Sequence, residues 1–215
     1  MCTLAQLKAM NGDFDVARTL CRRGRALLRD LGQGVHAAST GLDLAAVELL
    51  GGDLKLAEDE VRADFEFLSR MGETYYLSSM ASLLARLVRE QGRDGDALQL
   101  SQLAESASAA DDLVSQALWR SVRAPILARA GDVSGAEQMA RAAVELLREM
   151  EAPSLQADVL FELATVLRYG AQESAASQFA GEAKALYEAK GNVVAAKRCA
   201  EWLAGAAAEM KGKRH

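Results

Sequence analysis

Five glycines recur at a nearly constant interval and divide the chain into units of 39 or 40 residues. They are Gly12, Gly52, Gly92, Gly131 and Gly170, with successive separations of 40, 40, 39 and 39. Each glycine ends one apolar segment, and another segment follows it. Because glycine adopts positive φ freely, it can end one helix and let the chain reverse into the next. An interval of this length is typical of proteins built from repeated helical hairpins.

Alanine keeps a fixed place on both sides of these glycines. One alanine follows each glycine by five residues, at Ala17, Ala57, Ala97, Ala136 and Ala175. Another precedes the first four glycines by seven residues, at Ala5, Ala45, Ala85 and Ala124, and the fifth equivalent is Leu163 with Ala164 beside it. Small residues let two antiparallel helices cross closely. We therefore expect these alanines to be buried at helix crossings.

The segments between the glycines have the period of an α-helix. In one of them Leu54, Ala57, Val61 and Leu68 fall on a single face. Half of the residues are hydrophobic, only two are proline, and good helix formers dominate. The pattern predicts an all-α protein of about eleven helices, at 2–11, 13–31, 34–50, 53–71, 74–91, 94–108, 112–130, 132–150, 154–169, 172–189 and 192–209.

No linker separates these helices, so we expect one domain over residues 1–215. It would be a right-handed α-α superhelix of antiparallel hairpins. The helix 192–209 would cap it, and 210–215 would form a basic tail. Asp13, Asp53 and Asp132 follow turn glycines and are candidate helix N-caps. Pro125 falls within a predicted helix and predicts a kink, either tolerated at a curved face or opening a groove.

Composition excludes several functions. The net charge is −5, which disfavours nucleic-acid binding. Three cysteines without paired spacing and two histidines predict no disulfide framework, no metal site and no cofactor. His36 has no nucleophile and acid arranged around it, so we expect no enzyme activity. With no secretory or membrane-spanning segment, we expect a cytoplasmic protein that does not bind membranes.

The small-residue pattern resembles the tetratricopeptide repeat (TPR) family. A small residue followed by an alanine twelve positions later, with a turn glycine between them, occurs at Ala5/Ala17, Ala45/Ala57, Ala85/Ala97 and Ala124/Ala136. The usual repeat has about 34 residues, so the helices here are longer. Long repeats of this kind resemble the C-terminal TPR regions of bacterial class III cyclase-like and maltose-activator-like signalling ATPases. Four stretches are similar to the cyclase-like group: 71–78, 112–120, 163–167 and 190–196.

This resemblance implies a non-catalytic protein- or peptide-binding scaffold. The chain would be a regulatory or sensor module of a signalling or transcription-regulatory ATPase; the alternative is a freestanding, peptide-responsive regulator. No Gly-x-x-x-x-Gly-Lys-Ser/Thr phosphate loop is present. The first helix is short before Ala5, which predicts either a longer parent protein or an incomplete first repeat. The poorly covered end would then favour self-association.

The resemblance places any partner on the concave face, which the first helix of each hairpin lines. Repeat register directs seven residues to that face: Ser79, Ser82, Arg86, Arg89, Glu90, Ser121 and Arg129. Three arginines there could accept an acidic peptide or a free carboxylate through forked hydrogen bonds. The alternative is a solvated charged face or pairing within the chain, for which Glu90 is available.

Overall fold

The structure of the protein is a computed structural model that describes the backbone of residues 1–212 and the side chains of residues 1–205. Within that span all regular structure is α-helical. The helical segments are α1 (Cys2–Met10), α2 (Phe14–Asp30), α3 (Gly34–Ser39), α4 (Gly41–Gly51), α5 (Leu54–Arg70), α6 (Leu77–Glu90), α7 (Asp94–Ala107), α8 (Leu113–Arg129), α9 (Val133–Leu147), α10 (Pro153–Tyr169), α11 (Glu173–Lys190) and α12 (Val193–Gly212).

The helices pack as antiparallel hairpins in two layers of a right-handed solenoid, which confirms the predicted fold class. The inner layer contains α1, α4, α6, α8, α10 and α12. From α1 to α10 each inner helix packs against the next, and α10 contacts α12 through the rings of Phe161 and Trp202, whose centroids lie 5.6 Å apart. The outer layer contains α2, α5, α7, α9 and α11. No helix in the described span is both long enough and apolar enough to cross a membrane. The predicted basic tail lies outside the described residues, except that the backbone of 210–212 continues α12.

One predicted helix is divided in two. The segment 34–50 forms α3 and α4, which are interrupted at Thr40. The Thr40 hydroxyl donates to the Ala37 carbonyl at 2.6 Å and accepts from the Arg25 guanidinium at 3.0 Å. Arg25 also pairs with Asp64 at 2.6 Å, and Asp64 lies directly against Gly41. This buried ion pair therefore fills the space that a side chain at position 41 would need.

The first four turns follow the predicted pattern. Gly12, Gly52, Gly92 and Gly131 have φ between 79° and 103°, in the left-handed region that favours glycine. The flanking alanines are completely buried: Ala5, Ala17, Ala45, Ala57, Ala85, Ala97, Ala124 and Ala136. The helices therefore cross at the positions that the sequence pattern indicated.

The fifth turn is displaced by one residue from its predicted place. Gly170 has φ −80°, and Ala171, with φ 56°, takes the left-handed conformation instead. Measured from Ala171, the buried alanines are Ala164 and Ala176, which keep the separation of twelve residues. The predicted fifth equivalent, Leu163, is thus one residue out of register.

Two of the three aspartates that follow turn glycines cap the next helix with their side chains. Asp53 accepts a hydrogen bond from the Leu56 amide, and Asp132 accepts one from the Gly135 amide. Asp13 makes no such cap and pairs instead with Lys8 at 3.2 Å. Pro125 lies inside α8 and is buried.

Candidate functional site

A cavity of about 900 Å³ lies on the concave face, and all six inner helices contribute to its wall. The seven residues predicted for this face all line it: Ser79, Ser82, Arg86, Arg89, Glu90, Ser121 and Arg129. Pro125 lines it as well. Much of the remaining wall is apolar, with Leu42, Val47, Leu83, Leu118, Val122, Phe161 and Trp202 among its residues. Concave sites with apolar walls and few polar groups are typical of ligand binding.

Arg89 pairs with two carboxylates within the chain. Its Nη1 and Nη2 donate to the two carboxylate oxygens of Glu162 at 2.9 and 2.6 Å, and Nη2 also donates to Glu90 at 2.8 Å. Burial alone would lower the pKa of Arg89, but the two carboxylates outweigh it and raise that pKa. Burial would likewise raise the pKa of Glu90, which Arg89 instead holds below its ordinary value. Two carboxylates of the chain therefore already balance the charge of Arg89.

Arg86 is only partly engaged. Its Nη2 donates to Asp158 Oδ1 at 3.2 Å, and the same oxygen accepts from the Tyr187 hydroxyl at 2.7 Å. Arg86 Nε is buried and has no hydrogen-bond partner among the described residues. Burial opposes the charge on Arg86, but the field of Asp158 and Glu162 keeps its pKa above the ordinary value. Arg86 therefore contributes to the cavity wall a charged guanidinium whose Nε–H has no partner among the described residues.

Two serines of the wall are also without partners. Ser82 Oγ and Ser154 Oγ are buried and make no hydrogen bond within the described part of the chain. By contrast, Ser121 Oγ donates to the Leu118 carbonyl at 2.8 Å, and Ser79 Oγ lies 3.3 Å from Ser115 Oγ. Buried hydroxyls normally form hydrogen bonds, so these two are available to bond a ligand or water.

Arg129 lies at the edge of the cavity and bonds to residues that neither Arg86 nor Arg89 contacts through hydrogen bonds. Its Nη1 donates to the Asp94 carboxylate at 3.0 and 3.2 Å, and its Nε donates to the Tyr169 hydroxyl at 3.1 Å. About 45% of its side chain is exposed. The three arginines therefore line one cavity and pair with different carboxylates of the chain. That they act together on a single acidic ligand group stays a prediction.

The last helix closes the cavity against the first repeats. Arg198 of α12 donates to the Leu49 carbonyl at 3.1 Å, across 149 positions in the chain. Leu50 packs against the buried face of α12, which includes Cys199. Cys199 lines the cavity and is 1% exposed; burial raises the pKa of its thiol to about 11. The predicted capping helix thus packs back onto the N-terminal hairpins as well as covering α11.

Sequence reasoning missed several residues of the wall, chiefly Asp158, Glu162 and Tyr187. A usable signal existed for Asp158, since it precedes Ala164 by six residues, just as Ser79 precedes Ala85. His36 is exposed on α3, where its ring lies 3.1 Å from the Gln33 side chain. In the side chains described, no three His, Cys, Asp or Glu residues are grouped to hold a metal ion.

Comparison with known proteins gives a fold but no family. No protein-family model matches the sequence, and no curated protein matches it. Among solved structures, BtubC (BKLC) from P. vanneervenii superposes with a TM-score of 0.55 at 20% identity, covering 94% of this chain and 92% of that chain. A putative kinesin light chain from P. anserina with nearly identical TPR-like repeats gives 0.56 at 16% identity, covering 86% and 92%. The chain is therefore a helical-repeat protein with a TPR-like fold.

Proposed function

We propose that this chain is a non-catalytic scaffold that binds a peptide or a protein segment in the cavity of its concave face. The observation that carries the proposal is the cavity itself. It has a largely apolar wall and three buried polar atoms, Ser82 Oγ, Arg86 Nε and Ser154 Oγ, that lack partners in the described residues. A ligand with apolar groups and a hydrogen-bond acceptor would satisfy both features. TPR-like repeats in general support protein interactions.

The proposed biological role is regulation. We infer that the scaffold serves as the sensor module of a bacterial signalling or transcription-regulatory ATPase, with a freestanding, peptide-responsive regulator as the alternative. The support is the similarity of four stretches to the cyclase-like group, together with the fold. An ATPase or cyclase-like sequence upstream in the same reading frame would favour the first role over the second.

The experiment that tests the binding function fills the cavity. Ala46 lines it and is partly exposed, so Ala46→Trp should occupy the site with limited disturbance of the core. Gln102→Trp places the same side chain on the exposed face of α7 and serves as the control. The native protein and both variants are screened against one random-peptide display library, and bound sequences are counted. We expect enrichment with the native chain and with Gln102→Trp, and loss with Ala46→Trp.

The screen has two contrary outcomes. Enriched peptides that bind Ala46→Trp as well as they bind the native chain would place the binding surface outside the cavity. A native chain that enriches no sequence, while retaining the helicity and melting temperature of a folded protein, would contradict peptide binding altogether.

Self-association through the N-terminal end stays a prediction. Leu4 and Leu7 of α1 are 48% and 45% exposed, which supports it. Sedimentation equilibrium of the native chain and of Leu4→Glu with Leu7→Glu would test it. A native chain that remains monomeric at all concentrations contradicts the prediction, and a dimer that the double variant retains contradicts the proposed surface.

A further inference from the structure

The charged side chains inside the cavity wall are paired with one another. Five of them are no more than 30% exposed, two basic and three acidic: Arg86, Arg89, Glu90, Asp158 and Glu162. Arg86 pairs with Asp158 at 3.2 Å, and Arg89 pairs with both Glu162 and Glu90. Each of the two arginines therefore has a carboxylate of the chain beside it, and one negative charge is left over.

Arg198 of α12 supplies the counter-charge for this remaining carboxylate. Burial alone would raise the pKa of Glu90, but the fields of Arg89, Arg86 and Arg198 outweigh it and hold that pKa below its ordinary value. With Arg198 included, three guanidinium groups stand against three carboxylates. The other charged residues of the lining, Arg129, Lys190 and Glu201, are exposed to solvent, where water screens their charges.

This balance leaves no counter-charge for a charged ligand. Moving an ionised group out of water is unfavourable unless an opposite charge compensates it. In this wall a carboxylate would meet Glu90, Asp158 and Glu162 as well as the arginines, and an ammonium group would meet the arginines as well as the carboxylates. A ligand of either sign would therefore lose its hydration without gaining an unpaired partner.

The uncharged part of the wall favours apolar groups. Leu83, Leu118 and Phe161 line the cavity and are only partly buried by the chain, so each leaves apolar surface for a ligand to cover. Covering such surface is favourable without any charge on the ligand. The hydrogen-bond acceptor that the site can use would then be a neutral carbonyl, as in an amide.

We propose that the cavity selects uncharged, largely apolar ligands and discriminates against both carboxylates and amines. This inference rests on the proposed binding function of the cavity and narrows it to one ligand chemistry. Two sources present that chemistry: a peptide segment with apolar side chains and no chain terminus inside the cavity, and a neutral alkyl amide.

Titration calorimetry with two sets of matched ligands tests the selection. The first set is N-acetyl-leucyl-phenylalanyl-leucinamide, its free acid, and the same amide without the acetyl group. The second set is decanamide, decanoate and decylamine. At pH 6.5 the acids and the amines are charged. In at least one set we expect the neutral member to bind about tenfold more tightly than both charged members.

Two variants separate charge balance in the wall from the general preference of apolar sites for neutral molecules. Asp158→Asn removes one carboxylate and keeps an acceptor for Tyr187, so it should strengthen binding of the acid about tenfold. Arg86→Gln removes one guanidinium and should strengthen binding of the amine by a similar factor. Asp59→Asn makes the same change as the first variant on the exposed surface of α5 and should alter no affinity.

The outcomes separate the selection from the wider function. If the peptide acid binds as tightly as the neutral peptide or more tightly, and Ala46→Trp abolishes both, the cavity binds peptides and the selection is overturned. If only the decane set binds, with the expected neutral preference and variant effects, the selection stands and peptide binding is overturned. The selection also fails if no ligand of either set binds, or if Asp59→Asn changes the affinity for the acid as much as Asp158→Asn does.

Discussion

Arg86 of α6 and Asp158 of α10 meet at 3.2 Å across the concave face, although α8 lies between their two helices in the stack. Arg89 and Glu162 repeat this relationship one turn further along. Side chains from inner helices two repeats apart can meet only where the solenoid curves tightly. These two ion pairs therefore both reflect and stabilise the curvature that forms the cavity.

The register of the repeat can be tested by overpacking the crossings. Ala85 and Ala136 are completely buried between helices. Ala85→Leu and Ala136→Leu should each lower the free energy of unfolding by about 1–3 kcal/mol, because the added atoms force neighbouring helices apart. Ala142→Leu, on the exposed face of α9, should change it by less than about 0.5 kcal/mol. Urea denaturation measures the free energy of unfolding of all three variants. Equal losses in the three would contradict the burial of Ala85 and Ala136 at helix crossings.

The fifth turn offers a test of close approach. A Cβ at Gly170 would lie 2.9 Å from Val133 Cγ1, whereas one at Gly181 of α11 meets nothing within 4 Å. Gly170→Ala should destabilise the protein by about 1 kcal/mol, because the branched valine side chain cannot easily turn away. Gly181→Ala should stabilise it by about 0.5–1 kcal/mol, since alanine favours a helix interior. Thermal denaturation that moves both melting temperatures in the same direction would contradict this account.

Protonation of Glu58 should lower the free energy of unfolding at acidic pH. Burial alone would raise the pKa of Glu58, but hydrogen bonds from Arg62, Arg93 and Gln91 outweigh it and lower that pKa from 4.5 to about 2. Because the folded-state value is the lower one, the contribution is fully present above pH 4.5 and is lost as the pH falls towards 2. Glu58→Gln should lower the free energy of unfolding by up to about 3 kcal/mol at pH 7, and by less at pH 3.

Asp59 provides the control for the acid dependence. It forms an exposed pair with Lys55, so Asp59→Asn should cost less than about 1 kcal/mol at either pH. Urea unfolding at pH 7 and pH 3 gives the comparison. If Glu58→Gln lowers the free energy of unfolding equally at pH 7 and pH 3, the hydrogen bonds to the Glu58 carboxylate do not stabilise its charged form as described.

Access to the cavity should depend on α12. In a Cys2→Ser background two buried thiols remain, Cys199 facing the cavity and Cys21 in α2. Arg198→Ala removes the bond to the Leu49 carbonyl and should raise the labelling rate of Cys199 about fivefold, since one hydrogen bond contributes about 1 kcal/mol. Mass spectrometry of peptides after timed alkylation separates the two sites.

The labelling experiment has an internal and an external control. Cys21 should keep its rate in the Arg198→Ala chain, because it is buried in the cluster formed by α1, α2 and α4. Among the side chains described, Lys197 pairs with Glu201 alone, at 3.8 Å, so Lys197→Ala, one residue away, should leave both rates unchanged. Acceleration of Cys21 together with Cys199 would mean that the substitution promotes global unfolding and not release of α12.

The fold was predictable because its signals are local. Burial of Ala85 and Ala124 follows from their spacing around the turn glycines, and the side of α6 that faces inward follows from its period. The glycine pattern places the fifth turn one residue too early, because Ala171 adopts the left-handed conformation that the pattern assigns to Gly170. The ion pair of Arg86 with Asp158 was not predictable, since it depends on curvature accumulated over two repeats.

The bond between Arg198 and the Leu49 carbonyl also bears on how the molecule folds. In an open repeat array each unit touches only its neighbours, so the two ends can fray independently. Here the contact joins residues 149 positions apart, and Leu50 packs against α12. Contacts so distant in sequence form late, because the chain between them must first be ordered. The first and last hairpins should therefore complete folding together, as one cooperative unit, after the central repeats have formed.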